Sequence, residues 1–209
     1  MIRNIFVSLL VLSASSFAIS KQDGVKLLAK SAQVLQKSRH SSLEFQVQVV
    51  DALKNQQNPQ KGSLLLGPNN QFVLEMPGQK YYSDGITLWQ YSEVQQQVLI
   101  KNIVDLDGAF HPSEVLFKYL QCPVLAAQRT QLQQEPVVQL SLDPRQQLKG
   151  FQKLTVWLNN KHLPVQILLH DTSDNIITYK ISNVRTNVAV TAHTFKFPAS
   201  DDVDEIDMR

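Results

Sequence analysis

Residues 81–91 read YYSDGITLWQY, an Asp-Gly pair between two runs rich in aromatic and β-branched residues. Asp-Gly in this setting is a strong hairpin signal, because both central residues of a type I′ turn need positive φ. The pattern therefore predicts a tight turn at Asp84-Gly85 between two strands. A turn near Ser92-Glu93 and a strand-like run over residues 95–101 extend the hairpin to a three-stranded meander.

Two other stretches have helical rather than strand-like spacing. Residues 23–39 carry apolar side chains every three or four positions, which predicts an amphipathic helix with Asp23 as its N-cap. Residues 112–120 predict a second, short helix that Pro123 ends, and residues 123–128 predict one more helical turn. The apolar positions of the first helix are Val25, Leu28, Ala32 and Leu35.

The remaining segments alternate in the manner of strands, the last of them ending at Phe197, before an exposed acidic C-terminal tail. About eleven short strands with hairpin spacing and two main helices predict a mainly β, α+β fold. We expect a single curved antiparallel sheet, an unclosed half-barrel of about eleven strands. Helices 23–39 and 112–120 would form a helical lid over its concave side.

The first residues have the three parts of a cleavable signal peptide. A basic residue, Arg3, precedes an apolar run too short to span a bilayer, and a small-x-Ala exit follows it. We therefore predict a signal peptide over residues 1–18 and one domain over residues 19–209. Residues 13–21 contain no cysteine that could carry an acyl anchor, so the mature protein should be soluble. The only cysteine, Cys122, lies in an apolar context and should be buried and inert.

The sequence offers little catalytic chemistry. Its five histidines are not spaced as metal ligands, and it has no nucleophile elbow, phosphate loop or zinc-protease motif. His170 and Asp171 are strand neighbours that point to opposite faces, so they would not act as a catalytic pair. A formal charge of +2 with scattered cations provides no basic stripe for nucleic acid. We predict no enzyme activity, no catalytic residue, no metal, no cofactor and no nucleic-acid partner.

The order of several motifs resembles the periplasmic outer-membrane lipoprotein carrier family, LolA. The block SDGxTLWxY at residues 83–91 is followed by Gln97-Val98, and residues 112–116 resemble the family's Pro-x-x-Leu-Leu helix. Residues 140–144 read LSLDP, and the chain closes with FKFP at residues 195–198 and then Asp-Val. Each motif is weak alone, but their order behind a signal peptide is specific.

The resemblance implies a function as well as a fold. Members are unclosed β-barrels covered by helices, which take triacylated lipoproteins from an inner-membrane lipoprotein-releasing ABC transporter and pass them to an outer-membrane lipoprotein receptor. It therefore implies a periplasmic carrier and chaperone, a monomer, whose partners are acylated lipoproteins. Candidate acyl-chain-binding residues, each of which could instead be ordinary core, are Phe72, Leu74, Leu88, Trp89, Leu116, Phe117 and Leu120.

One departure from the family pattern concerns the lid. Family members typically carry an arginine before the proline of the turn between the second and third strands, and this arginine is thought to hold the lid closed. Here the pair reads Gly67-Pro68. The resemblance therefore assigns no latch to any residue of this sequence.

Three alternatives to a carrier remain open from the sequence. A lipid- or lipoprotein-sensing regulatory domain could use the same fold and signal to a protein partner. A lipid-modifying enzyme is disfavoured by the missing pair of nucleophile and base. The outer-membrane receptor for the same cargo is disfavoured by the missing cysteine at the signal junction.

Overall fold

The computed structural model describes residues 17–105, 118–200 and 202–209. The signal peptide predicted for residues 1–18 falls almost entirely outside the described residues, as does most of the helix predicted for 112–120. Both stay predictions. Within the described ranges, no helix is long and apolar enough to cross a membrane.

Strands joined by short turns make up most of the described chain, with one long helix, α1 (Lys21–Gln36), near its start. Short 3-10 turns occur at Ile103–Asp105 and Tyr119–Gln121. The strands are β1 (Phe17–Ile19), β2 (Ser41–Val50), β3 (Gln60–Leu66), β4 (Gln71–Met76), β5 (Gln79–Asp84), β6 (Thr87–Ser92), β7 (Gln97–Asn102), β8 (Val124–Leu132), β9 (Glu135–Leu142), β10 (Phe151–Leu158), β11 (Pro164–Asp171), β12 (Ile176–Thr186) and β13 (Asp204–Asp207).

These strands form one sheet in the order β1-β8-β9-β10-β11-β12-β2-β3-β4-β5-β6-β7-β13. Neighbouring strands are antiparallel except β7 and β13, which run parallel. β1 and β13 lie at opposite edges and do not pair with each other, so the sheet is unclosed. The predicted fold class is confirmed, with thirteen strands rather than about eleven.

The hairpin predicted from the Asp-Gly pair joins β5 to β6. Gly85 has a φ of +98°, whereas Asp84 is not in the left-handed region. The Asp84 carboxylate instead accepts hydrogen bonds from the N–H groups of Ile86 and Thr87, at 3.0 and 2.9 Å. The turn is therefore stabilised by an Asx interaction and is not type I′. A Cβ on Gly85 would lie 2.2 Å from the carbonyl oxygen of Asn69, which explains the glycine.

Other local predictions were wrong because long-range pairing determines the structure there. Residues 124–128, expected as a helical turn, begin β8, which pairs with both β1 and β9. The strand expected to end at Phe197 does not form, since residues 187–200 contain turns but no strand. The acidic tail instead supplies the edge strand β13, whose four residues are all exposed.

Alternate residues of each strand point to the side of the sheet that α1 covers, which we call the inner face. The side chains on this face form one continuous core. Many of them are inaccessible to solvent, so the centre of the inner face is tightly packed. Core side chains of the inner face that are at most 5% exposed include Leu43, Phe45, Leu64, Leu74, Leu140, Val156, Ile167 and Tyr179.

Helix α1 begins one turn earlier than the sequence predicts. Its N-cap is Ser20, whose Oγ accepts a hydrogen bond from the N–H of Asp23 at 3.1 Å and donates to the Asp23 carboxylate at 2.7 Å. Asp23 therefore lies in the first turn, where its charge meets the positive end of the helix dipole. The prediction of Asp23 as N-cap was wrong by three residues.

The buried stripe of α1 also differs from the prediction. It consists of Gly24, Leu28, Ser31 and Leu35, while Val25 is 48% exposed. A Cβ on Gly24 would lie 2.8 Å from the Cβ of Ala127 in β8, so the helix backbone rests directly on the sheet at this point. The glycine permits this approach and thereby sets the rotation of the helix.

Residues 187–200 cross the opposite side of the sheet, which we call the outer face. The ring of Phe197 packs against those of Tyr82 and Tyr91, with centroids 5.8 and 5.3 Å apart. Phe195 is 5% exposed and lies 5.8 Å from the ring of His40. The Phe-x-Phe pair thus fastens the C-terminal segment across the outer face.

Gly85 and Gly150 both have positive φ, but only at Gly85 would a Cβ also collide with another atom, so substituting each with alanine distinguishes backbone strain from steric exclusion. Gly150 has a φ of +84° and a Cβ there would meet no atom within 4 Å, whereas a Cβ on Gly85 would collide with the Asn69 carbonyl. Gly150→Ala should reduce the free energy of unfolding by about 1 kcal/mol. Gly85→Ala should reduce it by at least about 3 kcal/mol, because the backbone of the hairpin must move. Urea denaturation would measure both, and equal losses would contradict this account of the turn.

Candidate functional site

A cavity of about 780 Å³ opens at the C-terminal end of α1. It lies between that helix end, the turn from β3 to β4, and the residues that flank the undescribed segment 106–117. Its volume is within the range of roughly 300–1,000 Å³ that is typical of ligand pockets. The apolar side chains of its lining include Ala32, Leu35, Leu66, Phe72, Ile103 and Leu120.

The polar part of the same lining contains cations but no carboxylate among the described residues. Arg39 and Lys118 both contribute to the wall, together with the neutral side chains of Asn70, Gln71 and Gln121. The cavity therefore combines an apolar floor with a cationic wall, which suits an amphipathic ligand.

The structure brings together two of the predicted acyl-chain-binding residues in this cavity. Phe72 lines it from β4, and Leu120 lines it from the 3-10 turn on the other side. Leu116 and Phe117 were predicted for the same site, but they lie outside the described residues.

The other three predicted residues lie elsewhere. Leu74 and Leu88 are 0% and 2% exposed on the inner face and belong to the packed core. Trp89 is on the outer face. It is the strand neighbour of Leu88, and its cross-strand partner in β5 is Tyr82, whose ring packs against Phe197. Successive residues of one strand cannot both line one cavity, so the predicted set was not a single surface.

Several cavity residues were missing from the sequence prediction. Leu66 is the last residue of β3 and Ile103 directly follows β7, and nothing in their local pattern distinguishes them from core. Ala32 and Leu35 belong to the predicted apolar stripe of the helix, and their position in its last turns was the available signal. Arg39 follows the helix, and its sequence context does not distinguish it from an ordinary cation near a helix C-terminus.

Gly67, which replaces the arginine expected by resemblance, is closely surrounded. A Cβ at this position would lie 2.8 Å from Oε1 of Gln71 and 2.9 Å from the ring of Phe195. Phe195 thus occupies the room into which a longer side chain would extend. The position of Phe195 in the C-terminal segment therefore requires a glycine at residue 67.

A buried hydrogen bond ties the far side of the cavity to α1. The hydroxyls of Ser31 and Tyr119 lie 3.1 Å apart, and both residues are 0% exposed. Burial raises the pKa of Tyr119 well above its ordinary value, so its phenol stays protonated. This contact holds the 3-10 turn Tyr119–Gln121 against the helix.

Cys122 is buried, as predicted, and 2% exposed. Burial, with a smaller contribution from the charge of Asp143, raises the pKa of its thiol to about 11. Because the thiolate is the nucleophilic form, Cys122 is unsuited to catalysis.

A larger cavity of about 1020 Å³ lies near the other ends of β2, β3 and β4. Its wall contains charges of both signs, among them Lys61, Lys80, Glu44 and Glu75. A hydrocarbon chain placed there would remove charged groups from water, which is unfavourable. The cavity at the end of α1 is therefore the better candidate for an apolar ligand.

Among the residues that the structure describes, no three His, Cys, Asp or Glu side chains are grouped to hold a metal ion.

Comparison with known families assigns the fold. The family model described as outer membrane lipoprotein carrier protein LolA matches residues 36–198. The chain belongs to the LolA family. The match begins at the end of α1 and includes the β3–β4 turn, Leu120 and the Phe195–Phe197 segment, so most of the cavity wall lies within it.

Solved structures resemble this LolA-family chain in fold at low sequence identity. An uncharacterized conserved protein from Thermus thermophilus is 13% identical, with a TM-score of 0.55 over 90% of this chain and 99% of its own. LprF from Mycobacterium bovis is 13% identical, with a TM-score of 0.52 over 86% and 98%. Lipoprotein LppX from Mycobacterium tuberculosis is 12% identical, with a TM-score of 0.50 over 82% and 99%. No curated protein sequence matches significantly.

Removing either hydroxyl of the Ser31–Tyr119 pair should weaken the attachment of residues 118–121 to α1. Tyr119→Phe and Ser31→Ala should each reduce the free energy of unfolding by about 1–2 kcal/mol, because each leaves a buried hydroxyl unpaired. The double variant should lose less than the sum. Tyr91→Phe, on the outer face, is the matched control and should change stability by less than about 0.5 kcal/mol. Additive losses in urea denaturation would show that the two hydroxyls do not interact.

The raised pKa of Cys122 predicts slow alkylation of the native protein. At pH 8 roughly one thousandth of this thiol is ionised, and burial also limits access. Iodoacetamide should therefore modify the folded chain far more slowly than the chain in guanidinium chloride. Mass spectrometry would follow the reaction, and similar rates in the two states would contradict the placement of Cys122.

Proposed function

We propose that this LolA-family protein is a periplasmic carrier that binds the acyl chains of lipoproteins. It would accept them on release from the inner membrane by an ABC transporter and deliver them to an outer-membrane receptor. The function is transport and chaperoning, without covalent chemistry or a cofactor. The observation that carries the proposal is the cavity of about 780 Å³ with its apolar floor in a chain of this family.

The physical requirement for such a carrier is large. Each methylene moved from water to an apolar environment is worth about 0.8 kcal/mol, so an acylated protein cannot cross an aqueous compartment with its chains exposed. The side chains of Leu35, Leu66 and Phe72 present the kind of surface that would shelter part of a chain. Ile103 and Leu120, on the two sides of segment 106–117 in the sequence, add to this surface.

The route of entry also follows from the position of the cavity. It lies at the end of α1, where the packed core stops, so that a chain could enter without separating the sheet from the helix. Leu74 and Leu88 would then support the cavity from beneath rather than touch the ligand. Delivery without an energy source requires that the receptor binds the same chains more tightly than this protein does.

Filling the cavity from α1 should abolish carriage while leaving the core intact. Ala32 lines the cavity, whereas Ala29, one turn earlier on α1, is exposed and lies outside the cavity lining. In spheroplasts that synthesise an outer-membrane lipoprotein, the wild-type protein should release it in a water-soluble complex. Ala32→Trp should lower this release by at least about tenfold, since the indole takes the place of the chain. Ala29→Trp is the matched control and should release as much as the wild type.

Circular dichroism and the thermal midpoint would establish that both tryptophan variants are folded. If the wild-type protein releases no lipoprotein, the proposal is wrong. If both variants release it equally well, the acyl chains bind elsewhere. Depletion in cells adds a second criterion: loss of a carrier strands outer-membrane lipoproteins on the inner membrane, whereas loss of a sensor changes only a stress response.

A further inference from the structure

The wall of the cavity beyond α1 contains polar features that an acyl chain alone does not explain. Arg39 and Lys118 line it, and no Asp or Glu contributes to the described lining. Ser41, at the start of β2, belongs to the same wall and is 5% exposed. Its Oγ is buried without a hydrogen-bond partner among the described residues.

We propose that this wall is a subsite for the polar junction of an acylated ligand, in which a negative charge lies next to an ester-linked chain. Arg39 would attract the negative group, and the hydroxyl of Ser41 would donate to the acyl carbonyl. The inference rests on the proposed function, because the chain itself would occupy the apolar floor. It adds a charge preference that a purely hydrophobic carrier would lack.

The first support is electrostatic. The structure gives Arg39 no ion pair with a described carboxylate. A cation in this situation produces a positive potential, which is strengthened by the low dielectric of an adjoining apolar wall. A guanidinium group can form two parallel hydrogen bonds to a phosphate or carboxylate, so it is suited to anchor such a group.

The second support is the fixed position of the loop that carries Arg39. The N–H of Asn187 donates to Ser38 Oγ at 2.7 Å, and the N–H of Val188 donates to the His40 carbonyl at 3.2 Å. Ser38 Oγ in turn donates to that same carbonyl. The backbone on both sides of Arg39 is therefore held in place before any ligand binds, which reduces the entropy lost on binding.

The third support is the unpaired hydroxyl of Ser41. Buried polar groups in proteins nearly always have a partner, and an exception calls for an explanation. Ser41 faces the interior from the same side of β2 as Leu43 and Phe45, and its strand partner Leu66 lines the cavity. A ligand carbonyl that reached this wall would satisfy the hydroxyl, whereas a saturated chain would leave it unpaired.

Two pairs of probes test the charge preference and distinguish its possible sources. The first pair is diheptanoyl phosphatidylglycerol and diheptanoyl phosphatidylcholine, which share their chains and differ in net charge. The second is a triacylated cysteinyl peptide with aspartate or asparagine as its next residue. Calorimetric titration of the full chain should show tighter binding of the anionic member of at least one pair, by about fivefold at low salt. The preference should decrease as salt is added.

Variants then assign the preference to the wall. Arg39→Gln should reduce the anionic preference to less than about twofold, whereas Lys37→Gln, which removes a charge outside the cavity lining, should retain it. Ser41→Ala should weaken the ester lipid about fivefold relative to a seven-carbon hydrocarbon ligand, as expected for one lost hydrogen bond. Ser42→Ala, its neighbour on the outer face, should have no such effect.

The outcomes separate this inference from the proposed function. Binding of all four probes without a charge preference would overturn the subsite and leave the acyl-chain carrier intact. Binding of none of them would overturn both. A preference that survives Arg39→Gln would place the anionic group elsewhere and refute the assignment to this wall.

Discussion

The structure depends on how one helix covers the inner face of a thirteen-stranded sheet. That face is apolar along most of its length, and each square ångström left in water costs about 25 cal/mol. Helix α1 has 16 residues, so it is about 24 Å long and cannot cover the whole face. Gly24 lets its first half lie against Ala127, and there the core is dense. The cavity begins near its last turn, between the helix end and the β3–β4 turn.

The cavity is thus a consequence of the same packing that stabilises the fold. Close contact at Gly24 fixes both the rotation of α1 and the direction in which its C-terminal end points. This orientation brings Leu35 to the edge of the core, where it lines the cavity together with Leu66 and Phe72. Next to them, Tyr119 is buried and hydrogen-bonded to Ser31 of α1. The packed core of the inner face supplies stability, and the cavity lies at its edge, beyond the end of α1.

The sequence predicted the architecture better than the details, because alternation and turn residues are local signals while pairing is not. The Asp84-Gly85 hairpin was correct, yet the type I′ geometry expected there is not adopted. Successive left-handed residues occur instead at Asn69-Asn70 and at Gln133-Gln134. Asparagine is typical of such turns, whereas the two glutamines, which join β8 to β9, give no composition signal. β1 and β13 were missed since edge strands of three and four residues form through their neighbours. For the site, Phe72 and Leu120 could be predicted from apolarity, but the end of a core and the start of a cavity have the same composition.

In the proposed carrier, the free energy of binding an acyl chain is much larger than that of the hydrogen bond beside the cavity. A chain of many methylenes at about 0.8 kcal/mol each could bind with more energy than the fold can spare. The 3-10 turn Tyr119–Gln121, beside the cavity, is attached to α1 through the Ser31–Tyr119 hydrogen bond, whose net value is only about 1 kcal/mol. Opening at this point therefore costs little compared with unfolding. Because a cavity of about 780 Å³ with a polar wall shelters a chain incompletely, binding here is weaker than full burial would allow. In the proposed carrier, partial shelter of the chain favours onward transfer, which is the property that distinguishes a carrier from a permanent binding site.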